Sequence, residues 1–189
     1  MALTAIGLSN RALVKLGAAP IGGFDDGTAE AETAGALYEA TRDALLSANP
    51  WSFATRQATL ARLAEAPVAD FAFAFALPAD FLAALSAGAP GMGRGLVFRI
   101  VGQTLVTSSE AVVLTYIGRP DESGFPPFFA SALVARLAAE FCLPLTESAT
   151  RATALYQLAD QDFRRARLID GQQNTKNGFE SFSLIEARN

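Results

Sequence analysis

The chain contains no histidine, one cysteine and two lysines among its 189 residues, and each shortage closes off a class of chemistry. Histidine is the side chain most used for proton transfer near neutral pH and the commonest transition-metal ligand. Without it, Ser-His-Asp and Cys-His hydrolysis, HExxH zinc chemistry and histidine phosphotransfer are excluded within this chain. Cys142 stands alone, so no internal disulfide or thiolate metal cluster can form within the chain. On an apolar helix face it reads as a small core residue, not a nucleophile. Thirteen arginines and two lysines against nineteen acidic residues leave a formal charge of −4, which gives no overall basic footprint for tight duplex binding.

Long apolar runs are also lacking. The most apolar helical stretch, residues 128–143, is interrupted by Arg136 and Glu140 and falls short of the roughly 20 apolar residues a bilayer span needs. The start, Met1-Ala2-Leu3-Thr4-Ala5-Ile6, lacks the basic lead and apolar core of a signal peptide. The expectation is a soluble protein made and used without a secretion signal.

What remains is a chain about half apolar, long enough for one core with a small second lobe. Leu3, Ile6, Leu13 and Leu16 lie near helical spacing, with Gly17 as a natural stop. After a Gly/Pro loop, Thr28 is placed to cap a second helix with Glu30 and Glu32 in its first turn. Its stripe of Ala34, Leu37, Tyr38, Thr41, Leu45 and Ala48 ends at Asn49-Pro50. Residues 51–63 read as extended, and 71–77 alternate large and small apolar side chains as a strand does. Pro78-Ala79-Asp80 breaks that strand, and 86–95 reads as a mobile loop. Strands at 96–101, 104–107 and 111–117, with a Gly102-Gln103 turn, suggest an antiparallel meander.

Pro126-Pro127 suit the start of a third helix, whose face carries Phe129, Leu133, Leu137 and Phe141 and which is apolar nearly all round. It is therefore central or covered by another subunit. Pro144 is expected to close it and Thr146 to cap a fourth. That helix has a stripe of Ala152, Leu155, Tyr156, Ala159, Phe163 and Ala166, with Asp160 and Arg164 at pairing distance. The fold class is accordingly α+β and mainly helical. An antiparallel bundle is built from hairpins at 1–50 and 121–170, a β lobe at 51–120 is inserted between them, and an extended arm runs over 171–189. The arm is polar with spaced anchors Phe179, Phe182, Leu184 and Ile185 and ends near Arg188.

Few motifs point to chemistry. Gly91-Met92-Gly93-Arg94-Gly95 lacks the spacing of a phosphate loop and leads into a strand instead of a helix. Asp25-Asp26 and Asp121-Glu122 are the only paired carboxylates considered for a cation or a shared proton, and acidic residues in such loops commonly form turns or caps. Phe71, Phe73 and Phe75 could stack on single-stranded nucleic acid, but no basic residue lies between Leu63 and Arg94. Arg164, Arg165 and Arg167 diverge on a helix beside Asp160 and Asp162, so a subunit salt bridge is favoured over a nucleic-acid site. No catalytic residue, cofactor or metal is expected, and the chain reads as one that works by contacts.

An ordered set of residues carries a family resemblance. A helix ends at Leu16-Gly17, followed by Pro20-Ile21 and the acidic turn Asp25-Asp26. A helix with Ala34, Tyr38, Arg42-Asp43 and Leu45-Leu46 closes into Pro50-Trp51-Ser52-Phe53-Ala54 and Leu60. Further on comes Phe75-Ala76-Leu77-Pro78-Ala79-Asp80-Phe81-Leu82. This set, densest over residues 3–82, resembles the tail tubular protein A family of short-tailed phages, the head-to-tail adaptors.

The resemblance implies a structural virion protein, not an enzyme. It implies a homo-oligomeric ring of twelve copies, assembled in the host cytoplasm and located in the neck of the virion. One face would meet the portal and the other the tail nozzle, a tail tubular protein B-like partner. DNA would pass through without sequence-specific binding, and no membrane is involved. The arm residues Phe179, Phe182, Leu184, Ile185 and Arg188, with Arg164 and Arg165, are the interface candidates. Trp51, Phe53, Pro78 and Asp80 are the structural anchors. The alternatives are another neck protein (a stopper or tail terminator), a small histidine-free enzyme using Asp25, Asp26, Asp121 and Glu122, and a cellular scaffold of bundle type.

Overall fold

A computed structural model describes residues 3–173. Helix α1, Ala5–Leu16, starts where the Thr4 hydroxyl accepts the Gly7 amide, and it stops at Gly17, whose left-handed φ of 74° turns the chain out of the helix. Helix α2, Ala29–Ser47, starts in the same way, the Thr28 hydroxyl accepting the Ala31 amide, with Glu30 and Glu32 in the first turn. Helices α3, Pro127–Thr146, and α4, Ala149–Gln173, form the second half of the bundle.

Helix α3 is the hub. Helices α1, α2 and α4 each pack against it, while α1 and α2 hardly meet each other. Its apolar surface is therefore covered within one chain by Leu8, Leu13, Tyr38, Leu46 and Trp51, packed around Phe129, Leu133 and Phe141. Each such large side chain contributes on the order of 1.5–3 kcal/mol when removed from water. Ala152, Ala159 and Ala166, seven residues apart and buried, let α4 lie close along α3. The interruptions Arg136 and Glu140 pair with each other at 2.8 Å, and Glu140 accepts the Tyr156 hydroxyl at 2.8 Å. With its 20 residues α3 is long and apolar enough to cross a membrane, yet most of that stretch is buried inside the bundle.

The inserted lobe holds six antiparallel strands: β1 Thr55–Thr59, β2 Phe73–Ala76, β3 Phe81–Gly88, β4 Phe98–Val101, β5 Thr104–Thr107 and β6 Val113–Gly118. They form two sheets of three, ordered β1-β6-β3 and β2-β5-β4. Strand β6 serves both cores. Its Ile117 belongs to the bundle core, whereas Leu114 and Tyr116 join Leu60, Phe75 and Leu105 in a second core inside the lobe. Alternation along the strand makes the β1-β6-β3 sheet a middle layer between the bundle and the outer sheet.

The fold class read from the sequence is therefore the observed one, α+β and mainly helical, with several local corrections. Strand β3 occupies residues 81–88, partly inside the expected loop, and the rest of that loop is fastened, with Ser86 Oγ donating to the Gly93 carbonyl at 2.7 Å. Its neighbour Gly88 has no alternative residue, since a Cβ there would lie 1.6 Å from the Met92 carbonyl oxygen. No meander forms, because β4 and β5 pair as a hairpin while β6 leaves for the other sheet. Pro144 lies inside α3 and does not close it. A proline near a C-terminus removes one hydrogen bond while later residues still find acceptors, and the Glu147 amide reaches the Leu143 carbonyl at 3.0 Å. Thr146 does not cap α4 as expected. Its hydroxyl donates back to the Cys142 carbonyl at 2.6 Å, and Ser148 Oγ accepts the Arg151 amide instead. Residues 171–173 continue α4, so the arm cannot begin at Gly171. Its remainder, with Phe179, Phe182, Leu184, Ile185 and Arg188, lies outside the described residues.

Candidate assembly surface

Three polar fixtures brace the molecule, the first and third joining bundle to lobe and the second lying within the lobe, and the sequence-predicted anchors sit in two of them. Trp51 is fully buried, and its indole N–H donates to the Leu45 carbonyl at 2.9 Å, tying the corner to the end of α2. Its ring lies 5.1 Å from Phe129 and 5.7 Å from Phe163, both edge-on, and 5.9 Å from Phe53. Phe53 continues the cluster to Phe125 and Phe129. Beside it Ser52 donates its amide and hydroxyl to the buried carboxylate of Asp170, at 3.0 and 2.6 Å. Nothing in the sequence pattern marked Asp170, which reads as one more polar residue at a helix end.

Asp80 holds the second fixture. Its carboxylate accepts from Arg56 at 2.6 Å and from the Tyr116 hydroxyl at 3.0 Å, while the Pro78 carbonyl accepts the Phe81 amide to make the turn. Burial, then the bond to Asp80, pushes the Tyr116 phenol above its ordinary range.

The third fixture joins α2 to the segment after β6. Asp43 accepts from Arg42 at 2.8 Å and from Arg119 at 2.7 Å, and Glu122 accepts from Arg42 and Tyr38, each at 3.2 Å. Burial alone would raise the Asp43 carboxyl, but the hydrogen bonds from Arg119 and Arg42 outweigh it and hold that group below its ordinary range. Burial first, and the Glu122 carboxylate second, drives the Tyr38 phenol well above its ordinary range.

Two of the four carboxylates with a possible chemical role, Asp26 and Glu122, are instead employed in fastening. Asp26 accepts the Gly22 and Gly23 amides at 2.6 and 3.1 Å, shaping its own turn. Glu122 belongs to the third fixture and is not paired with Asp121 in a cation site. Among the described residues no group of three or more His, Cys, Asp or Glu side chains could hold a metal. Cys142 is buried. Phe75 is core, as its alternation suggests, whereas Phe73 and Phe71 carry guanidiniums at 3.9 and 5.6 Å, from Arg62 and Arg99. The arginines absent from that stretch of sequence therefore arrive through folding. They cover the rings, and Arg99 is further engaged by Asp70 at 3.0 Å.

The basic residues of α4 diverge as helical geometry requires. Arg164 and Arg167 line a hollow of about 380 Å³ with Asn49 and Leu168, and Arg167 donates to Asn49 at 3.0 Å. Arg165 lines a different one. The expected Asp160–Arg164 pair is not formed, and Asp160 faces Arg136 at 3.9 Å instead.

The other hollow lies on the bundle. It follows the α3–α4 seam in two adjoining parts of about 730 and 370 Å³ that share Lys15 and Asp162. Phe128, Arg165 and Ile169 line the part near the end of α4, and Ala138, Leu155 and Leu158 line the part near its start. Leu158 is 55% exposed, and no local pattern announced a groove, since it arises only where two helices and the end of α1 meet. No protein-family model and no curated protein matches the chain.

Proposed function

We propose that the protein is a head-to-tail adaptor: a ring-forming neck component that turns the portal surface of a capsid into a docking surface for the tail nozzle. DNA passes through the ring unread. The observation that carries this reading is where the resemblance residues sit. Gly17 ends α1, Asp26 shapes the loop to α2, Tyr38 and Arg42-Asp43 brace the segment after β6, Trp51 pins the corner, and Asp80 fastens the lobe. Each either joins one element to another or sets the turn between two. Such a frame holds two surfaces, bundle and lobe, in fixed relation, as a connector needs. The charge of −4 agrees, since a conduit rich in phosphate contacts would hold DNA and oppose ejection. Twelve modest interfaces suffice, because closing a ring makes the last contacts effectively intramolecular.

The test is addition of the purified protein to DNA-filled heads that carry the portal and lack this component. Electron micrographs should show rings at the portal vertex, and nozzle attachment should follow. Normal neck sealing without the protein would defeat the reading, as would turnover of a cell-wall or nucleotide substrate in the presence of divalent metals. Truncation after Gln173 should leave a folded subunit that no longer joins the heads.

A further inference from the structure

We propose that copies of this chain associate through two unlike faces, the outward face of α2 on one copy lying in the α3–α4 groove of the next. The groove has apolar surface to cover. Leu158 and Ile169 stand exposed along its α4 wall, and Val14 stands exposed on α1 beside Lys15. Its charge is basic. Lys15 and Arg165 line it against a single carboxylate, Asp162, and Arg11 lies one turn from Lys15 on the same side of α1. None of these three cations forms an ion pair among the described residues.

The outward face of α2 is the complement. Glu32 and Glu39 are exposed there, two turns apart, among Ala29, Ala36 and Ala40, and neither has an ion pair among the described residues. The single basic residue of this helix, Arg42, is buried and already paired with Asp43 and Glu122. Arg119, the neighbouring cation that Glu39 feels, is committed to Asp43 at 2.7 Å. Dimensions agree with charge. The groove wall from Leu155 to Ile169 rises about 21 Å along α4, and α2 from Ala29 to Ala44 rises about 22 Å. Helix α2 spends its buried side on α3 of its own chain, so seating its outward side elsewhere breaks no internal contact. Each copy in the contact still presents one free α2 face or one free groove, so copies add until a ring closes. The contact deepens the adaptor reading, and the closure into a ring rests on that reading.

The test is charge reversal in the full chain, read by sedimentation at low salt. One variant carries Glu32→Lys with Glu39→Lys, and a second carries Lys15→Glu with Arg165→Glu, all four positions being exposed. Wild type should form oligomers whose mass grows with concentration, and each variant alone should associate at least about tenfold more weakly. In the first variant both faces are basic and in the second both are acidic. An equimolar mixture should therefore recover association to within about threefold of wild type. Wild type that stays monomeric up to about 1 mM, variants that associate as wild type does, or a mixture that fails to recover would each overturn the contact. A second measurement avoids charge reversal. In a Cys142→Ala background, copies with Glu39→Cys are mixed with copies carrying Leu158→Cys and treated with a short bis-maleimide. Mixed dimers should form at least about tenfold faster than with Gln103→Cys, on the exposed hairpin turn of the lobe, in place of Leu158→Cys. Equal rates would count against the contact. A chain that associates in this way yet ignores portal-bearing heads would defeat the adaptor reading alone, whereas rings at the portal untouched by charge reversal would defeat the contact alone.

Discussion

Ser52 and Asp170, 118 positions apart, are joined by three hydrogen bonds, in which one serine gives its amide to both oxygens and its hydroxyl to one oxygen of a buried carboxylate. That contact ties α4 to the corner where the bundle becomes the lobe. Because Asp170 is 2% exposed, its removal strands the donors of Ser52 away from water. Asp170→Ala should cost about 1–3 kcal/mol, read as a fall of about 2–4 °C in Tm per kcal/mol. Asp170→Asn, which keeps an acceptor oxygen, should recover part of the loss. Equal melting of wild type and Asp170→Ala would show that the bond contributes nothing net.

Trp51 provides both a probe and a weak point. As the single tryptophan, fully buried among phenylalanines, it should emit at short wavelength and shift red in one step with the loss of helical circular dichroism. Trp51→Ala should cost about 3–5 kcal/mol in urea melts, as expected for loss of the largest core side chain. Trp51→Phe should cost less, keeping the ring contacts while leaving the Leu45 carbonyl without its indole donor.

Stability should fall at both ends of the pH scale, through different groups. Asp43 titrates lower in the folded protein than in the unfolded chain, so its stabilisation is present above the unfolded carboxylate value of about 4. It should disappear as pH drops through the lower folded value. Tyr38, Tyr116 and Tyr156 titrate higher in the folded protein, through burial first and then through Glu122, Asp80 and Glu140 respectively. Their contribution is complete below about pH 10, the unfolded tyrosine value, and lost as pH rises beyond it. Urea melts across the range should show both shoulders, and Asp43→Asn should remove much of the acid one.

Glu147 ends α3 in the left-handed region, with φ at 53°, on a side chain that makes no hydrogen bond or ion pair among the described residues. Glu147→Gly should therefore stabilise the protein by about 1 kcal/mol, since glycine adopts that conformation without the Cβ clash. The urea midpoint should rise with an unchanged slope. A lower midpoint would mean that the glutamate contributes through contacts that outweigh its backbone strain.

The sequence alone was a good guide wherever a short stretch decides its own conformation. Thr28 capping α2, Gly17 ending α1, the buried face of α3 and the Gly102-Gln103 turn all follow from residues within a few positions of each other. Hydrophobic period and missing or added donors act at that range, so they can be read along a line. Even the aromatic corner was visible, because Trp51 stands where one periodicity gives way to another.

What only the tertiary structure decided is which distant groups meet. The pairing of β6 with β1 and β3 instead of β5, the seat of Asp170, the guanidiniums over Phe71 and Phe73, and the α3–α4 groove depend on partners tens of residues away. Pro144 belongs here too, because its place inside a helix is tolerated by a core that grips α3 along its length. Such choices come from burying two apolar faces at once and satisfying the polar groups caught between them. That condition is set by the whole fold closing on itself, so no window of sequence contains it.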